Sequence, residues 1–308
     1  MRRRSFGRVL SALLAAFVVI CSGCDYRFVS WADSRGSSSG TVNAPVVAGE
    51  SRQIARKKPA FTMFPGDLCE SGPSNACMLQ WLGAANGGTS VSNGLADRTF
   101  ITRGNHDSSG LAVMNAWMNP QRIARVVGVK NYTRNGTALT YAFDFLNDHF
   151  VAVDLPAGDV SSMTAGSIAW LDANLTQADS RRVVNEFLFW HGPLVCVSTS
   201  HSCKPPAALV RVLNKHARIR AAFFGHEHVN AHVHLSGANV PGLTHPFEEF
   251  VDGTAGAPHY TCKAGVVGEN FCVNYDAFDT IDVTAGTTHY KVSVFRLGIS
   301  PATKVFKY

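Results

Sequence analysis

Once its first eight residues are set aside, the chain has almost no excess of one charge. It carries 28 Lys and Arg against 22 Asp and Glu; removing Arg2, Arg3, Arg4 and Arg8 leaves 24 basic residues, a formal +2. With no basic stripe or patch, there is no electrostatic footprint for nucleic acid. No His stands at finger-like spacing from a Cys pair, which argues against a structural zinc finger. There is no internal repeat and no break in composition that would mark a second domain. The longest apolar run, Val9 to Ile20, is short for a membrane-spanning helix.

That run does read as a leader. A basic stretch (Arg2 to Arg8), the apolar segment and small residues Ser22 and Gly23 are the pattern of a secretory signal. The expected division is residues 1–23 as the leader and 24–308 as one domain. Cys21-Ser22-Gly23-Cys24 resembles a bacterial lipobox, with Cys24 lipidated and Cys21 where Leu is usual. A lipid at Cys24 would be the sole link to a membrane, and strand structure is expected from Tyr26, leaving almost no tether. Six further cysteines fall into local pairs, Cys69/Cys77, Cys196/Cys203 and Cys262/Cys272. An even set in an exported chain reads as three disulfides. Lipidation of Cys24 leaves no odd thiol, whereas cleavage before it leaves seven. The expected location is periplasmic or extracellular.

Arg103-Gly104-Asn105-His106-Asp107 follows the β-rich run Thr99 to Thr102, so polar chemistry sits at a strand's end. Four other places repeat the design. The runs from Tyr26, Ala60, Glu186 and Ala221 end within a few residues at Asp33, Asp67, His191 and His226/His228. In open α/β sheets, ligands bind outside the carboxyl ends of strands. Five ends delivering Asp, Asn and His to one edge describe a metal centre.

Between these ends, Val42 to Lys57 reads as a helix with a basic end and Ala76 to Ala85 as a helical turn. Leu111 to Trp117 reads as a helix before a break at Pro120. Tyr141–Phe145 and Phe150–Asp154 read as a hairpin. Ser167 to Leu175 and Ala207 to His216 read as helices, with Trp170 in the core. Ser34 to Gly40 reads as a flexible active-site loop. Thr280 to Phe306 alternates and reads as the closing strands of a second sheet. His149, His216, His232, His234, His245 and His289 are expected on surfaces or in strands, with no role. The sequons at Asn131, Asn135 and Asn174 are read as incidental.

The ordered set Asp33-Ser34-Arg35, Gly66-Asp67, Gly104-Asn105-His106-Asp107, Trp190-His191-Gly192-Pro193 and Gly225-His226-Glu227-His228 resembles the calcineurin-like metallophosphoesterases, over about residues 26–308. The resemblance implies an α/β fold, a four-layer α-β-β-α sandwich of two mixed β-sheets flanked by helices. It implies two divalent ions (iron, manganese or zinc) bridged by Asp67. Asp33 and His228 would serve one ion, and Asn105, His191 and His226 the other. His106, held by Asp107, would act on the leaving oxygen. The metal pair would lower the pKa of a shared water, and the resulting hydroxide would attack a small-molecule phosphate mono- or diester.

Arg35 departs from the pattern, which has His there as a further metal ligand. Arg cannot ligate; it is expected to fork onto substrate phosphate. Glu70 stands where the purple acid phosphatases have Tyr, which disfavours a ferric-tyrosinate centre. His201 and His259 are candidate substrate-pocket residues. The cystine loops after Asp67 and His191 are expected to shape the pocket rim. The alternatives are a nucleotidase or cyclic-nucleotide phosphodiesterase, or a non-catalytic metal-binding surface protein.

Overall fold

The computed structural model describes residues 25–89, 91–136 and 139–308; the expected leader, residues 1–23, and the expected lipidation site Cys24 lie outside the described residues. The elements run β1 (Tyr26–Ser30), α1 (Ala44–Arg56), β2 (Phe61–Pro65), α2 (Asn75–Ala85), β3 (Thr99–Thr102), α3 (Leu111–Trp117), α4 (Pro120–Ile123), β4 (Val129–Arg134), β5 (Tyr141–Phe145), β6 (Asp148–Ala152), α5 (Ala165–Ser180), β7 (Glu186–Phe189), α6 (Ala207–Lys215), β8 (Ile219–Phe224), β9 (Asn230–Leu235), β10 (Phe247–Asp252), β11 (Glu269–Val273), β12 (Ala277–Val283), β13 (Tyr290–Arg296) and β14 (Lys304–Lys307).

They form two mixed sheets, ordered β14-β13-β12-β1-β2-β3 and β11-β9-β10-β8-β7-β6-β5-β4. In the first, β1, β2 and β3 are parallel; in the second, β6, β7, β8 and β10 are parallel. The chemistry-bearing strand ends therefore come from the parallel parts of both sheets, as expected for α/β folds.

Phenylalanine joins the sheets. Phe28 and Phe61 on the first stack with centroids 5.6 Å apart, and the Phe150 ring of the second meets them edge-on at 5.2 and 5.0 Å. Phe100 stacks on Phe143 at 4.5 Å, and Phe223 lies between Phe189 and Phe250. Each such pair adds about 0.5–1.5 kcal/mol beyond burial. Leu171, Leu175, Leu209 and Leu213 of α5 and α6 pack with Val151, Leu188 and Ala222 on the outside of the second sheet. The α1 and α2 helices pack on each other beside the first sheet, burying Val47, Ile54 and Trp81.

Four expectations change. The tail does not close the second sheet: β12 pairs antiparallel with β1, from Tyr26 opposite Val283 to Ser30 opposite Asp279, and extends the first. Pro120 starts α4 instead of only ending α3, because the first helical position needs no N–H donor. The Ser34–Gly40 loop is tied down, with Arg35 bridged to Val42 and Gly40 N–H donating to the Glu70 carbonyl at 2.8 Å. His216 is neither on the surface nor in a strand; it caps α6, buried between Asp172 and Asp179, each 2.9 Å away.

Candidate metal centre

Each strand end breaks into a tight turn. Asp33 (φ 62°), Asp67 (φ 56°), His226 (φ 72°) and His228 (φ 44°) are all in the left-handed region. Such residues cost about 1–3 kcal/mol each and persist only where their surroundings hold them. Here the turns hold one another. Asp33 N–H donates to Gly66 O (3.2 Å), Ser34 N–H to Asp67 O (2.9 Å), Gly225 N–H to His191 O (3.0 Å) and Ala257 N–H to Asp33 O (2.8 Å). The glycines ahead of the ligands are required by space. A Cβ on Gly104 would lie 2.2 Å from Asp67 Oδ1 and 2.6 Å from His191 Nε2; one on Gly225 would lie 2.2 Å from Asp33 Oδ2.

The structure brings Asp33, Asp67, Asn105, His191, His226 and His228 to one point. Ligand atoms of Asp33, Asp67 and His191 lie within 4.8 Å of one another. His191 Nε2 is 3.4 Å from Asp67 Oδ1 and 3.9 Å from Asp33 Oδ1. Asn105 Oδ1 lies 3.2 Å from His191 Nε2 and 3.1 Å from His226 Nδ1, while His228 Nε2 lies 3.5 Å from Asp33 Oδ1. The Nδ1–H groups of His191 and His228 donate to the carbonyls of Pro65 (2.8 Å) and Pro258 (2.7 Å). That turns both Nε2 atoms toward the carboxylates, as in metal-binding histidines.

Asp33 Oδ1 and Asp67 Oδ2 are buried without a hydrogen-bond partner. Uncompensated buried carboxylates are costly, so this donor set fits divalent cations. Acid–base balance agrees. Burial pushes Asp33 up to about 8 against the pull of His191. Burial would raise Asp67 too, but His191 and His106 outweigh it and hold it well below its ordinary value. Burial would lower His191, yet Asp67 and Asp33 raise it to about 9. Burial first, then neighbouring cationic groups, drive His226 down to about 2 and His228 to about 3. Two carboxyls in this space call for added positive charge, and neutral imidazoles are the ligating form.

His106 lies beside these groups, with Nε2 4.0 Å from Asp67 Oδ2. Its expected partner is corrected. Asp107 does not hold the ring; its buried carboxyl accepts from the amides of Leu68 (3.1 Å), Cys69 (3.3 Å) and Gly104 (3.2 Å), clamping two loops together. Burial, then the charge of Asp67, raises Asp107 to about 7. The ring's Nδ1 instead meets Glu70 Oε1 at 2.9 Å. The other oxygen of Glu70 binds Arg35 Nη1, and Arg35 Nε stands 3.9 Å from Asp67 Oδ2. Burial would raise Glu70, but Arg35 and His106 outweigh it and hold it low.

All three cystines form as spaced: Cys69–Cys77, Cys196–Cys203 and Cys262–Cys272. The second braces the loop carrying His201, whose ring stacks on His226 at 4.0 Å and pairs with Glu227 at 2.8 Å. His259 is not at the cluster; it pairs with Asp276 on a polar cleft of about 550 Å³ beside Asn43 and Gln80. Two larger cavities, of about 680 and 910 Å³, open around Tyr26 and Ala60, at the opposite ends of β1 and β2 from these ligands. Sequence reasoning missed Glu227 and Tyr260, which stacks on His228 at 4.2 Å, and saw Glu70 only as a missing Tyr. Glu70 alone carried a signal, three residues after Asp67.

The solved structures that resemble the fold include the following three. A purple acid phosphatase from yellow lupin (Lupinus luteus) seeds aligns with TM-score 0.70 and 13% identity, over 92% of this chain and 54% of its own. This chain thus spans about half of the lupin enzyme. GAP50, the anchor in the inner membrane complex of Plasmodium, aligns with TM-score 0.59 and 13% identity, over 92% of this chain and 88% of its own. A dimetal phosphatase from Danio rerio gives 0.58 and 14%, over 92% and 98%. No curated protein matches by sequence. The family described as calcineurin-like phosphoesterase matches residues 41–230, well over half of the chain, starting just past Asp33 and Arg35. The chain belongs to the calcineurin-like phosphoesterase family.

Proposed function

We propose that this is an exported, dimetal-dependent phosphoesterase that hydrolyses phosphate mono- or diesters. The observation that carries it is the pair of buried, unpartnered oxygens Asp33 Oδ1 and Asp67 Oδ2, the first facing His228 and the second facing His106 and Arg35. Asp67 would bridge, with Asp33 and His228 on one side and Asn105, His191 and His226 on the other. When bound, two divalent ions would supply an acidified water and positive charge to offset the phosphate oxygens. His106, its Nδ1 on Glu70, would present Nε2 to the leaving oxygen as a general acid. His201, stacked on His226, would form one wall of the substrate site. Three disulfides fit an oxidising compartment, and no helix among the described residues is long and apolar enough to cross a membrane.

The test is hydrolysis of aryl phosphomonoesters and diesters by the purified chain with manganese, zinc or iron. Activity lost in His106→Ala with metal retained supports the reading; no turnover with any metal ends it. The second reading is a non-catalytic metal-binding protein, and Arg35 in place of a ligand favours it. GAP50 is described as an anchor. Metal binding without turnover would select it.

A further inference from the structure

We propose that Arg35 is a fixed cation at the Asp33–His228 end of the centre, so that the two metal positions fill unequally, the Asn105–His191–His226 end tightly and the other weakly. This rests on the dimetal reading above. Counting Asp67 for both, one end has four protein donors and the other three. Where the family pattern places a further ligand for the poorer end, this chain has a side chain that cannot give up its proton.

The guanidinium is held in place. Its Nη1 is bound by Glu70, whose other oxygen is committed to His106. Its backbone is fixed by the bridge to Val42 and by Gly36 N–H donating to Thr41 O at 2.9 Å. Its side chain is only 13% exposed. Nε is buried with no hydrogen-bond acceptor and faces Asp67 Oδ2, which is likewise without a partner.

Its field also falls on one side. It follows Asp33 by two residues, and its Nε faces Asp67 Oδ2 at 3.9 Å, whereas His191 of the other end meets Asp67 Oδ1 at 3.4 Å. Arg35 therefore supplies part of the positive charge that the Asp33 end calls for, and repels a divalent ion placed there. It contributes charge without contributing a bond. The site stays electrically satisfied while its second ion is exchangeable.

The test uses the full chain stripped with chelator and titrated with Mn²⁺, bound ion being counted by loss of the free-Mn²⁺ paramagnetic signal. Zn²⁺ titration by calorimetry is the parallel measurement. Wild type is expected to take up one ion tightly and a second at least about tenfold more weakly. Arg35→His, which adds a ligand and removes the fixed charge, should bring the weak step to within a few-fold of the tight one. Arg35→Gln, which only removes the charge, should narrow the gap by a smaller factor. The two variants guard against one failing to fold, and circular dichroism identifies that case. Equal filling in wild type, or an unchanged gap in the folded variants, overturns the inference and leaves the phosphoesterase reading standing. Failure of wild type to bind either ion overturns both.

Discussion

His106 turns its Nδ1 to Glu70, 2.9 Å away, and not to Asp107 beside it in sequence. A carboxylate on Nδ1 fixes the tautomer and leaves Nε2 as the working atom, on the side of Asp67. His106→Ala is expected to lower kcat by about 10²–10⁴-fold without loss of bound metal. Glu70→Gln keeps the shape but weakens the orientation of the ring, and should cost about 10- to 100-fold. The loss should grow as the leaving group becomes more basic, because only poor leaving groups need the proton. A series of substituted aryl phosphates measures this; a loss equal across the series would remove Glu70 from any part in protonation.

The centre buries two carboxyls side by side, so metal and stability should be linked. Asp33 Oδ1 and Asp67 Oδ2 have no internal partner. An ion that binds the folded chain adds about 2.7 kcal/mol when its concentration is a hundred times Kd. Chelation is expected to lower Tm by several degrees and manganese or zinc to restore it. Asp67→Asn should abolish the response. A Tm indifferent to metal in wild type would mean that these oxygens hold no ion.

The strand ends were readable because each ligand lies within a few residues of an apolar run and follows glycine where a side chain would overlap a ligand atom. Gly104 and Gly225 are cases where spacing and sterics speak together. The partner of His106 was not readable in that way. Glu70 reaches it from a different loop, and sequence adjacency pointed to Asp107, whose carboxyl is drawn to the amides of Leu68, Cys69 and Gly104. Tyr260 reaches His228 from a glycine-rich turn with no periodic signal. The tail's alternation announced strands, but alternation does not say which edge a strand joins. The pairing of β12 with β1 is set by tertiary packing.

Glu186 gives a pH dependence away from the centre. It is fully buried at the start of β7, with both carboxylate oxygens unpartnered. Burial, then the nearby Asp179, raises it from 4.5 to about 8 against three arginines. A carboxyl raised in the folded state binds its proton more tightly there than when unfolded. Its contribution is complete below about pH 4.5 and is lost as pH rises to about 8. The loss is on the order of 3–5 kcal/mol. Glu186→Gln cannot ionise, so its Tm should exceed that of wild type at pH 8 by more than at pH 5. Parallel Tm curves would show that Glu186 ionises normally.

The Cys196–Cys203 disulfide tests how the substrate wall is built. Glu227, the residue between His226 and His228, accepts from the Val197 and Ser198 amides at 3.1 and 2.6 Å and pairs with His201. The loop is thus anchored by these bonds, by the cystine and by backbone pairing in which Thr199 N–H donates to Thr261 O at 3.0 Å and Lys263 N–H to Val197 O at 2.7 Å. His226 is positioned separately: its N–H donates to Asp33 Oδ2 at 2.8 Å. Replacing both cysteines with serine should cost about 2–4 kcal/mol of stability through the unfolded chain. It should free the His201 ring from His226 while leaving the ligands in place. The expected result is a several-fold change in the ratio of monoester to diester hydrolysis, with manganese affinity nearly unchanged. Because the loop meets the ligands through Glu227 and through the His201 ring, which packs on His226 and on the Tyr260 that stacks on His228, a parallel fall in metal affinity would mean that the loop holds the ligands in position and does not act as a wall alone.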